Sequence, residues 1–334
     1  MSSEIKRISE LVSSYREAKV LFAAAGMDIF SLTTGKYRGS EEICALRKMD
    51  KRAGRIFLDA LVSAGFLKKR RAKYSNSSLA DKFLVPGAKA YVGNNLRYQN
   101  IIWEAWSGLD RTLKTGRPPE NLMELLEKRK DFTQGYIRGM ADIARKPAAE
   151  LAELVPAVKR GAMLDVGGGP GTYTQAFLKR NPSMTGTILD LPQTLAITRG
   201  IFSGGPFEKR VRLVEGDYHK TSFGNENFDL VLLSHVTHDE GRGAVEKMLD
   251  KSYNALKGGG RVIIHDFMLD ADLTSPRFSA LFSVHMLVYT KEGRVYSRDE
   301  YTDMLKKAGF RNIKSADICA DAENRSKAIF GEKP

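Results

Sequence analysis

The sequence predicts an α/β fold in which helices cover a largely parallel sheet, preceded by a mostly helical domain. An apolar run over residues 162–166 breaks into a glycine-rich turn at 167–171 and then into a helical pattern. This succession is typical of the strand, turn and helix that open a doubly wound sheet. A second apolar run, residues 228–233, is typical of a strand buried on both faces of such a sheet. The second half of the chain is therefore predicted to be Rossmann-like.

The opening residues predict two helices. Residues 5–22 carry apolar side chains at helical spacing, with charged residues between them. Further on, Ser40 precedes Glu41 and Glu42, a pattern typical of a helix start with acids in its first turn. Both segments are therefore expected to contribute helices to the first domain.

A third helix and a hairpin follow. Residues 51–64 have an apolar face, and Gly65 is a typical helix stop. The basic segment 66–74 is predicted to form two short strands. Helices followed by such a hairpin predict a winged-helix domain over residues 1–95, and we expect this domain to form a homodimer.

Positive charge is concentrated in the first half of the chain. The net charge is +13; residues 1–160 hold 30 Lys and Arg against 18 Asp and Glu, whereas residues 161–334 hold 23 against 22. Winged helices with basic hairpins often bind nucleic acid. Here the helix over residues 51–64 has an apolar face at Leu58 and Val62, which leaves few polar side chains for base recognition. The sequence favours a dimerisation domain with a solvated hairpin, and nucleic-acid binding is the alternative. The basic hairpin residues are Lys68, Lys69, Arg70, Arg71 and Lys73.

Large side chains are concentrated in residues 96–155, which we predict to be a helical segment that links the two domains and lines an acceptor pocket. Both tryptophans of the chain lie here. A loop is predicted at residues 116–119, and residues 148–158 are predicted to form a linker helix. The predicted pocket residues are Trp103, Trp106, Phe132, Tyr136, Met140 and, from the second domain, Phe282, His285 and Met286.

The glycine-rich turn predicts a ligand-binding loop. Gly167, Gly169 and Gly171 alternate with other residues, so that a ligand can approach the backbone more closely than a Cβ would allow. This spacing differs from the G-x-G-x-x-G pattern of dinucleotide-binding loops. Asp165, two residues before the turn, is unfavourable beside a pyrophosphate but suits a ligand with an ammonium group.

Acids on the next two strands specify the ligand further. Asp190 ends the second predicted strand, 19 residues after Gly171, where an acid accepts both ribose hydroxyls of a nucleoside. After a third predicted strand over residues 211–214, Asp217 is placed to accept from an adenine amino group and Tyr218 to lie against the ring. An ammonium group and a ribose without phosphate describe S-adenosylmethionine, which we predict as the cofactor.

The fourth predicted strand, residues 228–233, leads to the edge of the sheet where open α/β folds carry their chemistry. Ser234 ends this strand and is expected to contact the cofactor, and His238 follows in the next loop. An amphipathic helix is then predicted up to the glycines at 258–260, before a strand that ends at Asp266. The sheet is expected to close with a helix from residue 297 to 308 and strands over residues 310–318 and 327–330.

The sequence gives no sign of a metal, a disulfide or a membrane segment. Cys44 and Cys319 are far apart and lack metal-ligand spacing, so both are predicted to be reduced thiols. All five histidines lie in the second half, but His235 and His238 are not a usual pair for one metal. No apolar run approaches the roughly 20 residues that span a bilayer, and the first residues do not resemble a signal peptide. A cytoplasmic location is expected.

Taken together, these motifs resemble those of the small-molecule O-methyltransferases typified by the caffeate and acetylserotonin enzymes and their bacterial tailoring relatives. That family has a winged-helix dimerisation domain before a seven-stranded class I methyltransferase domain, so the resemblance covers nearly the whole chain and assigns residues 156–334 to the second domain. The matching motifs are the glycine turn at 165–171, Asp190-Leu191-Pro192, Gly216-Asp217-Tyr218 and His238-Asp239.

The resemblance implies a reaction and a set of residue roles. It implies methyl transfer from S-adenosylmethionine to a hydroxyl of a small aromatic acceptor, with His238 as general base and Asp266 as the acid that orients it. It implies that Met140 lies near the sulfur and the acceptor. The implied cofactor-site residues are Gly167, Asp190, Leu191, Asp217 and Tyr218.

Two positions depart from the family pattern. Glu240 stands where the family usually has tryptophan, and His235 stands where arginine or asparagine is common. The first change alters the expected acceptor-side wall. Methylation of carbon or nitrogen on the same fold and methylation of RNA are the alternatives to O-methylation.

Overall fold

The computed structural model describes residues 3–118, 120–156 and 161–334. The chain divides into two compact units, Met1–Trp103 and Glu104–Pro334. Pro119 of the predicted loop and the last two residues of the predicted linker helix lie outside the described residues. The division into three parts, at residues 95 and 155, stays a prediction.

The first unit combines helices with a small antiparallel sheet. The strands of this sheet lie in the order β1, β3, β2, so the predicted hairpin is present. The elements in chain order are α1 (Ser3–Gly26), α2 (Ile29–Thr33), β1 (Arg38–Gly39), α3 (Ser40–Arg47), α4 (Lys51–Ser63), β2 (Leu67–Arg70), β3 (Lys73–Asn76), α5 (Ser78–Phe83) and α6 (Gly93–Ser107), which runs past the boundary between the units.

The local sequence explains how this unit is built. Helix α4 begins where the Asp50 carboxylate accepts a hydrogen bond from the Ala53 amide at 2.8 Å, which satisfies one of the free amides of its first turn. Leu58 and Leu61 on its apolar face are fully buried, together with Tyr74 of β3. Burial of these side chains fastens the hairpin to the helices.

One face of α1 is apolar and open to solvent. Its large side chains are each at least 44% exposed, although they repeat at the spacing of a single helix face. A stripe of this kind usually marks an interface. The residues are Ile5, Ile8, Leu11, Val12 and Tyr15.

The second unit alternates strands and helices. Its elements are α7 (Leu109–Thr115), α8 (Leu122–Lys128), α9 (Lys130–Leu154), β4 (Gly161–Val166), α10 (Thr172–Arg180), β5 (Met184–Asp190), α11 (Pro192–Phe202), β6 (Val211–Glu215), β7 (Phe228–Ser234), α12 (Arg242–Ala255), β8 (Leu256–Asp266), α13 (Arg277–Leu287), α14 (Arg298–Lys307), β9 (Arg311–Ile318) and β10 (Ser326–Glu332). Short 3-10 turns at Glu208–Arg210 and Thr237–Asp239 complete them.

Seven strands of the described chain form one sheet, in the order β6, β5, β4, β7, β8, β10, β9. The first five strands in this order pair in parallel, whereas β10 is antiparallel to both of its neighbours. The predicted Rossmann-like, seven-stranded sheet is confirmed. Because β4 is flanked by β5 on one side and β7 on the other, the connections diverge there and leave a crevice at the carboxyl ends of these strands.

The apolar run of β7 packs on both faces of the sheet. Val231 and Leu233 belong to the core on one face, while Leu230 and Leu232 belong to the core on the other. A continuous apolar strand is required because consecutive side chains point to opposite, covered faces.

Two predicted boundaries are wrong. The glycines at 258–260 do not separate the helix from the next strand, since β8 begins at Leu256 and runs through them. The linker helix is not a separate element either, because α9 continues through Pro147. That proline removes one backbone donor from the ladder, but the surrounding turns maintain the helix, with Ala148 and Leu151 buried in the core. Among the described residues, no helix is long and apolar enough to cross a membrane.

Candidate active site

The carboxyl ends of β4, β5, β7 and β8 bring the predicted site residues to one edge of the sheet. Val166 is in register with Leu189 on one side and with Leu233 on the other. Ser234 is in register with His265. The glycine turn, Asp190, Ser234 and Asp266 therefore follow neighbouring strand ends, as the sequence predicts.

The glycine turn has the backbone that its sequence demands. Gly167, Gly169 and Gly171 have φ values of +64°, +53° and +71°, in the left-handed region where side chains are strained. A Cβ on Gly171 would lie 2.5 Å from the Phe202 ring, so this glycine is needed for packing. A Cβ on Gly169 would meet no atom within 4 Å. The space beside Gly171 is therefore filled by packed side chains, whereas the space beside Gly169 is free for a ligand.

Asp190 connects the glycine turn to the end of β5. Its Oδ2 accepts a hydrogen bond from the Gly169 amide at 2.7 Å, and its Oδ1 accepts one from the Leu191 amide at 2.7 Å. Burial raises the pKa of this carboxyl, although the two amide donors oppose the change. The Thr194 side chain also lowers the pKa of this carboxyl through a hydrogen bond. A carboxylate has about four lone-pair positions, so capacity for a further hydroxyl donor remains. The bond to Gly169 was not foreseen from sequence.

Asp165 lies beneath the glycine turn, its Oδ1 has no hydrogen-bond partner among the described residues, and the predicted contact with an ammonium group stays a prediction. Its side chain is only 1% exposed and lies beneath Gly168, where its Oδ2 accepts from the Thr174 hydroxyl at 2.6 Å. Burial raises the pKa of this carboxyl to about 7, despite the bond from Thr174. Asp165 supports the loop from below, because the glycines leave room for a buried carboxyl under the turn.

The loop after β6 contains Asp217 and Tyr218. Asp217 Oδ1 accepts from the His219 amide at 2.8 Å, which is a turn-stabilising bond. The Tyr218 hydroxyl donates to Glu240 Oε1 at 2.6 Å, and His219 Nε2 lies 2.9 Å from the same oxygen. Glu240, in place of the family's tryptophan, thus fixes the Tyr218 ring through a hydrogen bond. Lys251 donates to three carbonyls of this loop and holds its backbone.

Ser234 is engaged with a buried histidine. Its hydroxyl lies 3.1 Å from His265 Nδ1, and His265 Nε2 lies 2.8 Å from the Ser326 hydroxyl. Burial lowers the pKa of His265 far below its usual value, and the neighbouring His235 lowers it further. His265 is therefore a neutral link between β7, β8 and β10.

His238 and Asp266 form a buried pair. His238 lies in the 3-10 turn after β7, and its Nδ1 is 2.5 Å from Asp266 Oδ1 at the end of β8. Asp266 also accepts from the Phe267 amide at 2.8 Å and the Thr237 hydroxyl at 2.8 Å, and the Tyr301 hydroxyl lies 3.3 Å away. These donors fix the carboxylate, which in turn fixes the imidazole.

The charges around this pair set its protonation. Burial lowers the pKa of His238, but Asp266 and Asp239 outweigh it and raise the pKa to about 9. Burial opposes the charge on Asp266, yet His238 and the hydrogen bonds hold its pKa far below the usual range. Burial raises the pKa of Asp239 to about 6. The resting pair is an imidazolium and a carboxylate.

His235 completes the cluster. Its backbone has φ +52°, and its Nδ1 lies 3.5 Å from Asp266 Oδ1, while its ring packs on Phe267 and His265 with centroids 4.7 and 4.6 Å apart. One ligand atom each from His235, His238 and Asp266 lies within 4.8 Å of the others, a spacing that a metal ion could occupy. Asp266 is already bonded by several protein donors, and the expected absence of a metal stays a prediction.

The predicted acceptor-pocket residues fall into different environments. Trp103 belongs to the first unit, where its ring contacts Phe22 at a centroid distance of 6.2 Å. Phe132 and Met286 are 1% and 3% exposed, so they are core side chains with almost no surface for a ligand. Tyr136 stacks on Phe132 at 6.2 Å, and Met140 is half-buried.

The remaining predicted pocket residues do lie near the His238–Asp266 pair. The Phe282 ring packs edge-on against His238 at 5.0 Å, and His285 follows one turn later on α13, 5.2 Å from Phe282. Trp106 donates to His285. Sequence reasoning missed Tyr301 and Thr237 beside Asp266; Thr237 adjoins His238 in sequence, but nothing in the sequence points to Tyr301.

The fold and the edge of the sheet define the class of protein. The second unit has a doubly wound seven-stranded sheet whose last strand is antiparallel. Its glycine turn is open to a ligand, and an acid stands at the end of the second strand. This combination suits a nucleoside with an amino-acid tail, not a pyrophosphate. The open backbone at Gly169 and the remaining lone-pair capacity of Asp190 fit S-adenosylmethionine. This is the architecture of a methyltransferase that uses that cofactor.

Comparison with known proteins gives the family. A family model described as the O-methyltransferase domain matches residues 102–311, and the chain belongs to this family. It is an S-adenosylmethionine-dependent O-methyltransferase. The family resemblance noted from sequence is confirmed.

Relatives and a solved structure extend the match to both units. The chain is 28% identical over 325 residues to 3-hydroxy-5-methyl-1-naphthoate 3-O-methyltransferase of Streptomyces sahachiroi, covering 95% of this chain and 92% of that one. It is 26% identical to the N,N-dimethyltransferase OxyT of Streptomyces rimosus, covering 92% and 91%. The structure of human N-acetylserotonin methyltransferase in complex with S-adenosylmethionine superposes with a TM-score of 0.89 at 23% identity, covering 100% and 98%.

Proposed function

We propose that the enzyme methylates a hydroxyl oxygen of a small aromatic acceptor and that His238 accepts the hydroxyl proton. The observation that carries the proposal is the buried 2.5 Å contact between His238 Nδ1 and Asp266 Oδ1. Because Nδ1 is held by the carboxylate, Nε2 is the nitrogen that accepts a proton once the ring is in its neutral form. A positioned base contributes about 10²- to 10⁴-fold in rate.

The residues of the chain have separate tasks in this reaction. Bound S-adenosylmethionine supplies an electrophilic methyl group on a positively charged sulfur. His238 accepts the proton of a hydroxyl held in line with that methyl, and Asp266 stabilises the imidazolium that results. Asp239, with Oδ1 3.7 Å from His238 Nε2, raises the basicity of the ring further.

We assign the cofactor contacts to the strand ends. The remaining lone-pair capacity of Asp190 supports a bond from a ribose hydroxyl, and the open backbone at Gly169 supports approach of the amino-acid tail. The Tyr218 ring, fixed by Glu240, supports an adenine site in that loop. The further proposed cofactor contacts are Gly167, Leu191, Asp217 and Ser234.

Methylation of nitrogen is the second candidate reaction, because OxyT is an N,N-dimethyltransferase of similar identity. The two reactions are distinguished by incubating the enzyme with S-adenosylmethionine labelled in its methyl group and a panel of phenols and aromatic amines. We expect the label on oxygen. Label found only on nitrogen would replace the proposal by its alternative.

We further propose that the first unit is a winged-helix dimerisation domain. The hairpin of β2 and β3 after α3 and α4 supports the fold, and the exposed face of α1 supports the dimer. Lys69 donates to Asp59 at 2.5 Å, and Arg70 lies 5.2 Å from the Tyr37 ring centroid. Part of the hairpin's charge is thus satisfied within the unit, which supports dimerisation over nucleic-acid binding. The unpaired cysteines support a cytoplasmic location.

A further inference from the structure

His285 has a fixed tautomer because of the group that donates to it. Trp106 Nε1 lies 3.0 Å from His285 Nδ1, and both residues belong to the second unit. An indole N–H is only a donor. Nδ1 must therefore be the unprotonated, accepting nitrogen of the imidazole, and the ring proton is on Nε2.

The surroundings of His285 keep the ring neutral. Burial lowers the pKa of His285 to about 4, and the positive charge of His238 acts in the same direction. The bond from Trp106 also opposes protonation of His285, because the Nδ1–H of a charged imidazole would face the indole N–H, and both groups are donors. At neutral pH the ring thus presents one acceptor to Trp106 and one N–H elsewhere.

The Nε2–H group has no hydrogen-bond partner within the described part of the chain. The imidazole is half-buried and packs between the rings of Phe282 and Tyr289, with centroids 5.2 and 4.9 Å away. Phe282 also packs against His238 at 5.0 Å. A donor without a partner and the proposed base thus flank the same aromatic side chain.

We propose that His285 Nε2–H donates a hydrogen bond to a carbonyl or carboxylate oxygen of the acceptor, and so selects aromatic hydroxyl compounds that carry this second oxygen. The proposal rests on the proposed function, since it places the methylated hydroxyl at His238. Trp106 is then a positioning residue, which orients the ring and determines which nitrogen carries the proton. A bound acceptor without the second oxygen would cover this donor and leave it unpaired, which costs free energy, so such an acceptor is discriminated against.

Three acceptors test the effect of the second oxygen on the rate of methyl transfer. They are 3-hydroxy-1-naphthoate, its neutral methyl ester and 2-naphthol, which keeps the same hydroxyl and rings without a carbonyl group. For the wild-type enzyme we expect kcat/KM for the first two to exceed that for 2-naphthol by about 10- to 100-fold, the range of one hydrogen bond to a buried donor. The ester separates hydrogen bonding from the attraction of a negative charge.

Variants of His285 and Trp106 test whether the preference for acceptors with the second oxygen depends on the Nε2–H group. His285→Phe keeps an aromatic ring but has no N–H, so the ratio of kcat/KM for 3-hydroxy-1-naphthoate to kcat/KM for 2-naphthol should fall to less than about threefold. His285→Gln places an amide N–H near the Nε2 position and should retain most of the preference. Trp106→Phe frees the tautomer and should reduce the preference without abolishing it.

The tautomer is measured independently of turnover by ¹⁵N NMR of the histidine rings in the full-length enzyme, with His285 assigned from its missing signal in His285→Gln. We expect protonation on Nε2 at neutral pH; protonation on Nδ1 or on both nitrogens overturns the inference. Equal wild-type rates on the three probes, or a preference that survives His285→Phe, also overturn it and leave the proposed function intact. Methyl transfer to none of the hydroxyl probes overturns both.

Discussion

The Nδ1 atom of His238 lies 2.5 Å from Oδ1 of Asp266, although the two residues are 28 positions apart in the chain and the whole of α12 lies between them. The parallel neighbours β7 and β8 create this contact, since each residue follows the carboxyl end of one strand. Both side chains are buried, His238 at 6% exposure and Asp266 at 0%. The pair is the chemical centre of the proposed reaction, and its removal gives the most direct test.

His238→Ala is expected to lower the rate of methyl transfer by about 10²- to 10⁴-fold, because the hydroxyl proton loses its acceptor. Affinity for S-adenosylhomocysteine, measured by calorimetry, should change by less than about threefold. Asp266→Asn keeps the shape and removes the charge, so it should also reduce turnover. Turnover by His238→Ala at the wild-type rate would show that the reaction needs no base at this position.

Activity is expected to rise with pH. The pKa of His238 is raised to about 9 by Asp266 and Asp239, and only the neutral ring accepts a proton. The logarithm of kcat/KM, which reports the free enzyme, should therefore increase from pH 6 and level off above about 9. Initial rates at saturating cofactor give the profile.

Asp239→Asn tests whether the pH profile reports the ionisation of His238. It removes one of the charges that raise the pKa of His238, so the midpoint should move to lower pH with the same acceptor. The acceptor's own ionisation is identical in both enzymes, and a difference in midpoint thus belongs to the protein. Identical midpoints would mean that the profile reports the acceptor hydroxyl.

The sequence predicts the parts of this site that depend on strand order. Asp190, His238 and Asp266 follow apolar runs, and in a parallel sheet such positions share one edge. The sequence does not predict the local partners of a side chain at that edge, as the buried bond from Thr174 to Asp165 illustrates. It also gives no signal for Tyr301 beside Asp266, because α14 reaches the site only through packing of the complete sheet.

Asp190→Ala is expected to weaken cofactor binding by about 10- to 150-fold, which corresponds to the roughly 1.5–3 kcal/mol of hydrogen bonds to a charged group. The variant removes both the proposed ribose acceptor and the bond that holds the Gly169 amide. Calorimetric titration with S-adenosylmethionine measures the change, and thermal unfolding checks the fold. Glu215→Ala, at the exposed end of the adjacent β6, is the control and should bind normally. Equal affinities would remove Asp190 from the cofactor site.

The exposed apolar face of α1 predicts a dimer. Ile8 and Val12 are 56% and 62% exposed, and burying such side chains is favourable by about 25 cal/mol per Å². We expect the wild-type protein at micromolar concentration to have twice its chain mass of 37.2 kDa by light scattering. The double variant Ile8→Glu and Val12→Glu should be monomeric, because two carboxylates would be buried at the interface. Ser13→Glu, directed away from that face, should remain dimeric. A monomeric wild-type protein, or a double variant that still dimerises, would remove α1 from the interface.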